Sequence, residues 1–87
     1  MKFTFVRIDW EDIHSSGSWI DAKDLLRPLG VVNFGFVVYE DKKFICLSSS
    51  LPQDPSGNST LGDCIAIPKG CIVKRTPIRH KAFDVEW

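Results

Sequence analysis

Large apolar residues fall mostly at every second position along this chain, in short runs broken by polar stretches. That is the period of β-strands with one buried face. Phe3, Phe5, Ile8 and Trp10 are apolar within an otherwise polar run, and their alternation changes phase between Phe5 and Val6. The spacing predicts a first strand over about 2–11, with a bulge or strong bend at the phase change. His14-Ser15-Ser16-Gly17-Ser18 is loop chemistry. Asp21 is placed to cap a short helical turn through Leu26, ending before Pro28. Residues 31–40 are rich in β-branched and aromatic side chains, with Phe34, Phe36 and Val38 on one face and Val37 and Tyr39 on the other. Gly35 inside this strand predicts a kink or the close approach of another backbone.

The short polar link Asp41-Lys42-Lys43 leads into a strand starting at 44–47, so the two strands read as a hairpin. Ser48-Ser49-Ser50 reads as loop, and 51–60, with two prolines, a glycine and an asparagine, as a flexible surface loop. A strand over 61–67, a tight turn at 68–70 and a strand over 71–75 follow. Pro68 cannot donate to a ladder and ends the first of these strands or makes it an edge. Gly70 supplies a positive φ if the turn needs one. Beyond Thr76-Pro77, the residues Phe83, Val85 and Trp87 alternate. A disordered tail rarely carries such a pattern. The expected domain is therefore 1–77, with 78–87 an extension that forms an extra strand or docks on this domain or on a neighbouring subunit. Trp10 and the Phe34/Phe36 face are its expected core.

Composition narrows the class. The chain has 87 residues, of which 44% are hydrophobic and 25% charged, enough for one folded domain with a thin core. Eleven basic residues balance eleven acidic ones, which argues against a dedicated duplex-DNA binder. The balance is uneven: residues 1–63 hold six basic and nine acidic residues, and 64–87 hold five and two. Cys46, Cys64 and Cys71 each sit in an apolar run and are expected as buried free thiols, fitting a reducing cytoplasm. No apolar run approaches membrane-spanning length, and Met1–Trp10 lacks the unbroken apolar core of a signal peptide. Asn58-Ser59-Thr60 matches a glycosylation sequon, which carries little without a secretory signal.

The order of strand, long loop, hairpin, loop, strand, single turn, strand resembles a small barrel of the Src-homology-3 or Sm-like type. Within it, Ile67-Pro68-Lys69-Gly70-Cys71-Ile72-Val73 is similar to the closing segment of a Src-homology-3 domain, where an Ile-Pro pair opens the turn before the last strand. The resemblance implies an all-β, small five-stranded barrel with a long first loop and an apolar C-terminal extension. The peptide-binding signature of that domain is missing. Tyr39 is the one tyrosine, and no Trp-Trp pair opens a central strand, whereas a proline-helix groove needs several convergent aromatics. A second resemblance covers about residues 8–75. Trp10-Glu11-Asp12-Ile13, then Trp19, then Gly35-Phe36-Val37-Val38, then Ile67-Pro68-Lys69-Gly70-Cys71-Ile72 is similar to a group of short, uncharacterised bacteriophage proteins. It implies a viral origin and action in the host bacterial cytoplasm, and it transfers no catalytic residue.

Few residues suggest chemistry. Asp9, Glu11, Asp12 and His14 are the one cluster suited to a cation or to acid–base work, and a solvated strand end explains them as well. The three cysteines with His14 and His80 lack the paired spacing of a zinc site. Neither Ser48-Ser49-Ser50 nor Gly57-Asn58-Ser59-Thr60 matches a nucleophile elbow or a phosphate loop. No catalytic residue, metal site or cofactor is therefore assigned. Lys69, Lys74, Arg75, Arg79, His80 and Lys81 form a basic run with Phe83 and Trp87 nearby, suited to phosphates and base stacking. Trp19, leaving a Ser/Gly loop, is the candidate exposed anchor. The expected function is that of a non-catalytic bacteriophage accessory protein that binds a host or phage protein, as a monomer or a homo-oligomer. The alternative is a module for nucleic acid or a small signalling nucleotide, bound through the basic run.

Overall fold

The computed structural model describes residues 2–15, 17–53 and 60–87. Asn58 and Ser59 of the sequon, and most of the 51–60 loop, thus lie outside the described residues. The protein is all-β. Five strands, β1 (Phe5–Asp12), β2 (Leu29–Glu40), β3 (Phe44–Ser50), β4 (Gly62–Pro68) and β5 (Ile72–Pro77), form one antiparallel sheet in the order β4-β3-β2-β1-β5. Short 3₁₀ turns at Ala22–Asp24, Lys69–Cys71 and Lys81–Phe83 are the helical elements among the described residues. The molecule is elongated, 55 × 26 × 24 Å.

The core is Val6, Ile8, Ile45, Leu47 and Ile67, with Trp10, Val37, Ile65 and Ile72 packed against it. The register explains the set. Val6 faces Gly35, Ile8 faces Asn33, Leu47 faces Ile65 and Ile45 faces Ile67, so all line one face of the sheet. This corrects the expected core. Trp10 is part of it, but Phe34 is 52% exposed on the opposite face, beneath the Arg7 guanidinium. The inner face of β2 instead carries Val31, Asn33, Gly35 and Val37. Gly35 is there because β3 crosses it closely: a Cβ would lie 3.0 Å from Leu47 Cβ and 3.1 Å from the Ser48 carbonyl oxygen. A coiled sheet needs small residues where its concave side is tightest.

The phase change at Phe5/Val6 is a change of face and not a bulge. Val6, Ile8 and Trp10 point to the core, while Phe5 packs edge-on to Phe36 on the other side. The irregularities lie elsewhere, between Asp9 and Trp10 against β5 and between Val37 and Tyr39 against β3. The second turns Tyr39 outward to pair with Cys46, away from the face Val37 occupies. Asp41 closes the β2–β3 hairpin, its Oδ1 accepting from the backbone N–H groups of Lys43 (2.7 Å) and Phe44 (3.0 Å).

Ser48-Ser49-Ser50 belongs to β3 and is not loop. Ser48 is fully buried, its Oγ 2.6 Å from the Gly62 carbonyl and 2.8 Å from that of Ser50, which pins β3 to the start of β4. Nor does Gly70 need to be glycine, since its φ lies outside the left-handed region and a Cβ there would meet nothing within 4 Å. The non-glycine residue with a positive φ among those described is Asp63 (φ 48°), a residue type that tolerates that region. The expected buried thiols are corrected as well: Cys64 is exposed, Cys46 and Cys71 are half-buried, and all three are free. No helix among the described residues is long and apolar enough to cross a membrane.

Candidate functional site

Two surfaces stand out, at opposite ends of β1. The first is the connection between β1 and β2. Asp12 faces Leu29 at the end of the ladder, and the described residues of 13–28 lie beyond it as an arm. The arm is tied at its base, where His14 Nδ1 lies 3.2 Å from the Arg27 carbonyl and so carries the donated proton. Near its middle, Asp24 N–H donates to the Asp21 carbonyl at 2.9 Å, closing the turn that the sequence placed after Asp21. The Asp21 side chain itself makes no capping bond. Every described residue of the arm is exposed. Trp19 is fully exposed at 102%, Ile13 is 85% and Leu25 72% exposed, with Ile20 and Leu26 also open to solvent. Asp21 and Asp24 balance Lys23 and Arg27, so the arm is apolar and neutral.

The second surface is a cleft of about 680 Å³ where the C-terminal tail meets the start of β1. Its walls include Lys2, Phe5, Arg79, His80, Lys81 and Phe83. Backbone pairing holds the tail there. Ile78 N–H donates to the Phe5 carbonyl (2.9 Å), Phe3 N–H to the Val85 carbonyl (3.2 Å), and Lys2 forms an antiparallel bridge with Glu86. Aromatic contacts add to it: Phe83 stacks flat on Phe5 at 4.0 Å, and Trp87 meets Phe3 edge-on at 4.8 Å while its indole N–H donates to the Pro52 carbonyl. The alternation of Phe83, Val85 and Trp87 is spent on this docking, and all three are half-buried.

The basic run does not stay together. Lys69 Nζ and Arg75 Nη1 both reach Glu40 Oε2 at 2.8 Å, and these hydrogen bonds hold the Glu40 carboxyl below the usual carboxylate range. Lys74 sits opposite Asp9 on β1. Arg79 and Lys81 alone go to the cleft, with His80 between them. Lys2 and Phe5 join them there, and sequence reasoning missed both because they lie far away in the chain. The signal that pointed to Phe5 was the phase change after it, which puts its ring off the core face and against Phe36; nothing in the local pattern pointed to Lys2.

The acidic cluster disperses too. Asp9 is paired with Arg7 at 2.9 Å, a contact that lowers the carboxyl's pKa and raises that of the guanidinium. Asp12 Oδ1 accepts from Ile13 N–H at 2.8 Å, and His14 serves the base of the arm. No group of three metal-ligating side chains converges among the described residues. Comparison with protein-family models, curated proteins and solved structures returns no match.

Proposed function

We propose that this chain is a non-catalytic binding protein that engages another protein through the 13–28 arm, with Trp19 as its anchor. The observation that carries the reading is the complete exposure of Trp19 on the same connection as exposed Ile13 and Leu25. Large apolar side chains gathered on one projecting segment mark an interaction surface, and tryptophan is the residue most enriched at binding hot spots. The arm's balanced charge offers an anionic lipid surface no attraction, so the partner is a protein with an apolar pocket. The scaffold is read as a small barrel of Src-homology-3 or Sm-like type. The order β4-β3-β2-β1-β5 and the single 3₁₀ turn at Lys69–Cys71 between β4 and β5 support that reading. The motif resemblance supports reading it as a bacteriophage accessory factor that acts in the host cytoplasm on a host or phage protein.

The test compares the wild type with Trp19→Ala and Leu25→Ala as bait in infected and uninfected bacterial lysate, with light scattering alongside. A partner held by the wild type and lost by Trp19→Ala supports the proposal, with a loss of about 2 kcal/mol or more in binding free energy. Self-association that Trp19→Ala abolishes makes a second copy the partner. Identical capture by all three proteins removes the arm from the argument.

A further inference from the structure

We infer that the cleft between the start of β1 and the C-terminal tail binds a nucleotide, held by its phosphate on Lys2, Arg79 and Lys81 and by its base against the Phe5–Phe83 stack. This site is separate from the arm and stands or falls independently of it.

The first argument is which cations are free to act. The chain is neutral overall but its last stretch is basic, and the fold adds Lys2 to Arg79 and Lys81 of that stretch. Of the basic residues near the C-terminus, Lys69 and Arg75 are committed to Glu40. Lys2, Arg79 and Lys81 form no ion pair among the described residues, and the fold gathers these three at one cleft. Asp84 is the one acid on its wall among the described residues. Three cations against one carboxylate favour an anion. An arginine and two lysines suit a phosphate in particular, the guanidinium gripping two oxygens and the ammonium groups acting as point charges.

His80 adds a directed donor. Its Nδ1 accepts from the Ala82 N–H at 2.9 Å, so in the neutral ring the proton resides on Nε2. The imidazole, which lines the cleft, thus keeps an N–H free to donate.

The second argument is the aromatic floor. Phe5 and Phe83 stack with centroids 4.0 Å apart and planes 2° from parallel, Phe36 meets Phe5 edge-on at 4.9 Å, and His80 meets Phe83 at 6.2 Å. Both members of the stack line the cleft and are only half-buried. A flat pair of this kind extends naturally by one more ring, and base–aromatic stacking contributes roughly 1–3 kcal/mol per base. The third argument is size. A cleft of about 680 Å³ lies within the range of small-ligand sites and is of a scale for one nucleotide. The same chemistry serves a free nucleotide or one residue of a single strand.

Isothermal titration on the full chain, with amide chemical-shift mapping, tests the site. The probes are adenosine triphosphate, guanosine triphosphate, adenosine, inorganic phosphate and a short oligothymidylate. The variants are Arg79→Ala/Lys81→Ala, Phe83→Leu and, as a cation outside the cleft, Lys74→Ala. Circular dichroism reports whether each variant folds, and the double charge variant changes only exposed side chains. The expected result is nucleotide binding that shifts amides at 2–5 and 78–84, weakens at least about tenfold in the double variant and is unchanged in Lys74→Ala. Phe83→Leu weakens the nucleotides but not inorganic phosphate. Tighter binding of the oligothymidylate than of either triphosphate identifies a strand as the source, and the reverse a free nucleotide. No binding of any probe at millimolar concentration overturns the inference, as does equal weakening by Lys74→Ala, which marks diffuse attraction. Inorganic phosphate binding as tightly as the nucleotides overturns the stacking half.

Discussion

The two ends of the β1–β2 hairpin are built from similar residues and meet opposite fates. At one end Val6 and Ile8 are sealed completely from water. At the other, Ile13, Trp19 and Leu25 stand in it. Apolar character alone does not separate them. What differs is whether other strands arrive to cover the hairpin. β3, β4 and β5 bring Ile45, Leu47, Ile67 and Ile72 against its lower half, whereas every described residue of the arm stays exposed. The lower half is therefore apolar for folding, while the exposed apolar side chains of the arm serve no packing within the sheet, which is the ground for the proposed binding role.

Stability measurements break or sharpen this contrast most directly. Ile8→Ala removes a fully buried side chain and is expected to cost about 2–5 kcal/mol in chemical denaturation. Trp19→Ala removes a larger side chain and is expected to stay within about 0.5 kcal/mol of wild type. Comparable losses in the two variants would mean that the arm packs on the sheet in solution, and the contrast would collapse.

The sequence made the strands legible because period-two alternation survives in β1 and β2, and because Pro68 and the Asp41 turn punctuate the chain where the structure turns. The inner face of β2 was not legible. Bulk pointed to Phe34 and Phe36, yet curvature chose the face with Asn33 and Gly35, and a hydrophobicity pattern does not encode curvature. The serine run misled for a related reason: Ser48 is buried because its hydroxyl serves the strand ends, not because it is apolar. Of the two candidate surfaces, exposure of Trp19 followed from its Ser/Gly loop. The cleft did not follow from local pattern, since it joins Lys2 and Phe5 to residues near the other terminus and depends on β1 pairing with β5.

Gly35 tests the curvature argument at intermediate cost. Its missing Cβ would fall 3.0 Å from Leu47 Cβ and 3.1 Å from a backbone oxygen, contacts the sheet relieves only by opening between β2 and β3. Gly35→Ala is expected to lose about 1–3 kcal/mol, despite being a favourable change for an ordinary strand. Unchanged or improved stability would show that β3 does not cross β2 as closely as the core requires. The arm, on the far side of Asp12, is expected to keep its partner affinity in this variant so long as the sheet folds.

Glu40 offers the smallest and most selective test, because it lies at the end of β2 remote from the arm. Its carboxylate draws together Lys69 of the 3₁₀ turn and Arg75 of β5, tying the last residue of β2 to the β4–β5 turn and to the strand after it. Hydrogen bonds from Lys69 and then Arg75 depress its pKa, so the ion form is favoured in the folded state. A depressed carboxylate contributes stability that is in full force above its unfolded pKa and fades as pH falls through the folded one. The side chains are 30–40% exposed, so solvent and salt screen the contact to about 1 kcal/mol or less. Glu40→Gln is thus expected to be slightly less stable than wild type at neutral pH. The gap should narrow in high salt and close on acidification below the ordinary carboxylate range, with binding through Trp19 unaffected throughout. A gap that persists in acid would assign the effect to packing of the side chain and not to its charge. An altered Trp19 interaction would mean that the two ends of β2 are coupled after all.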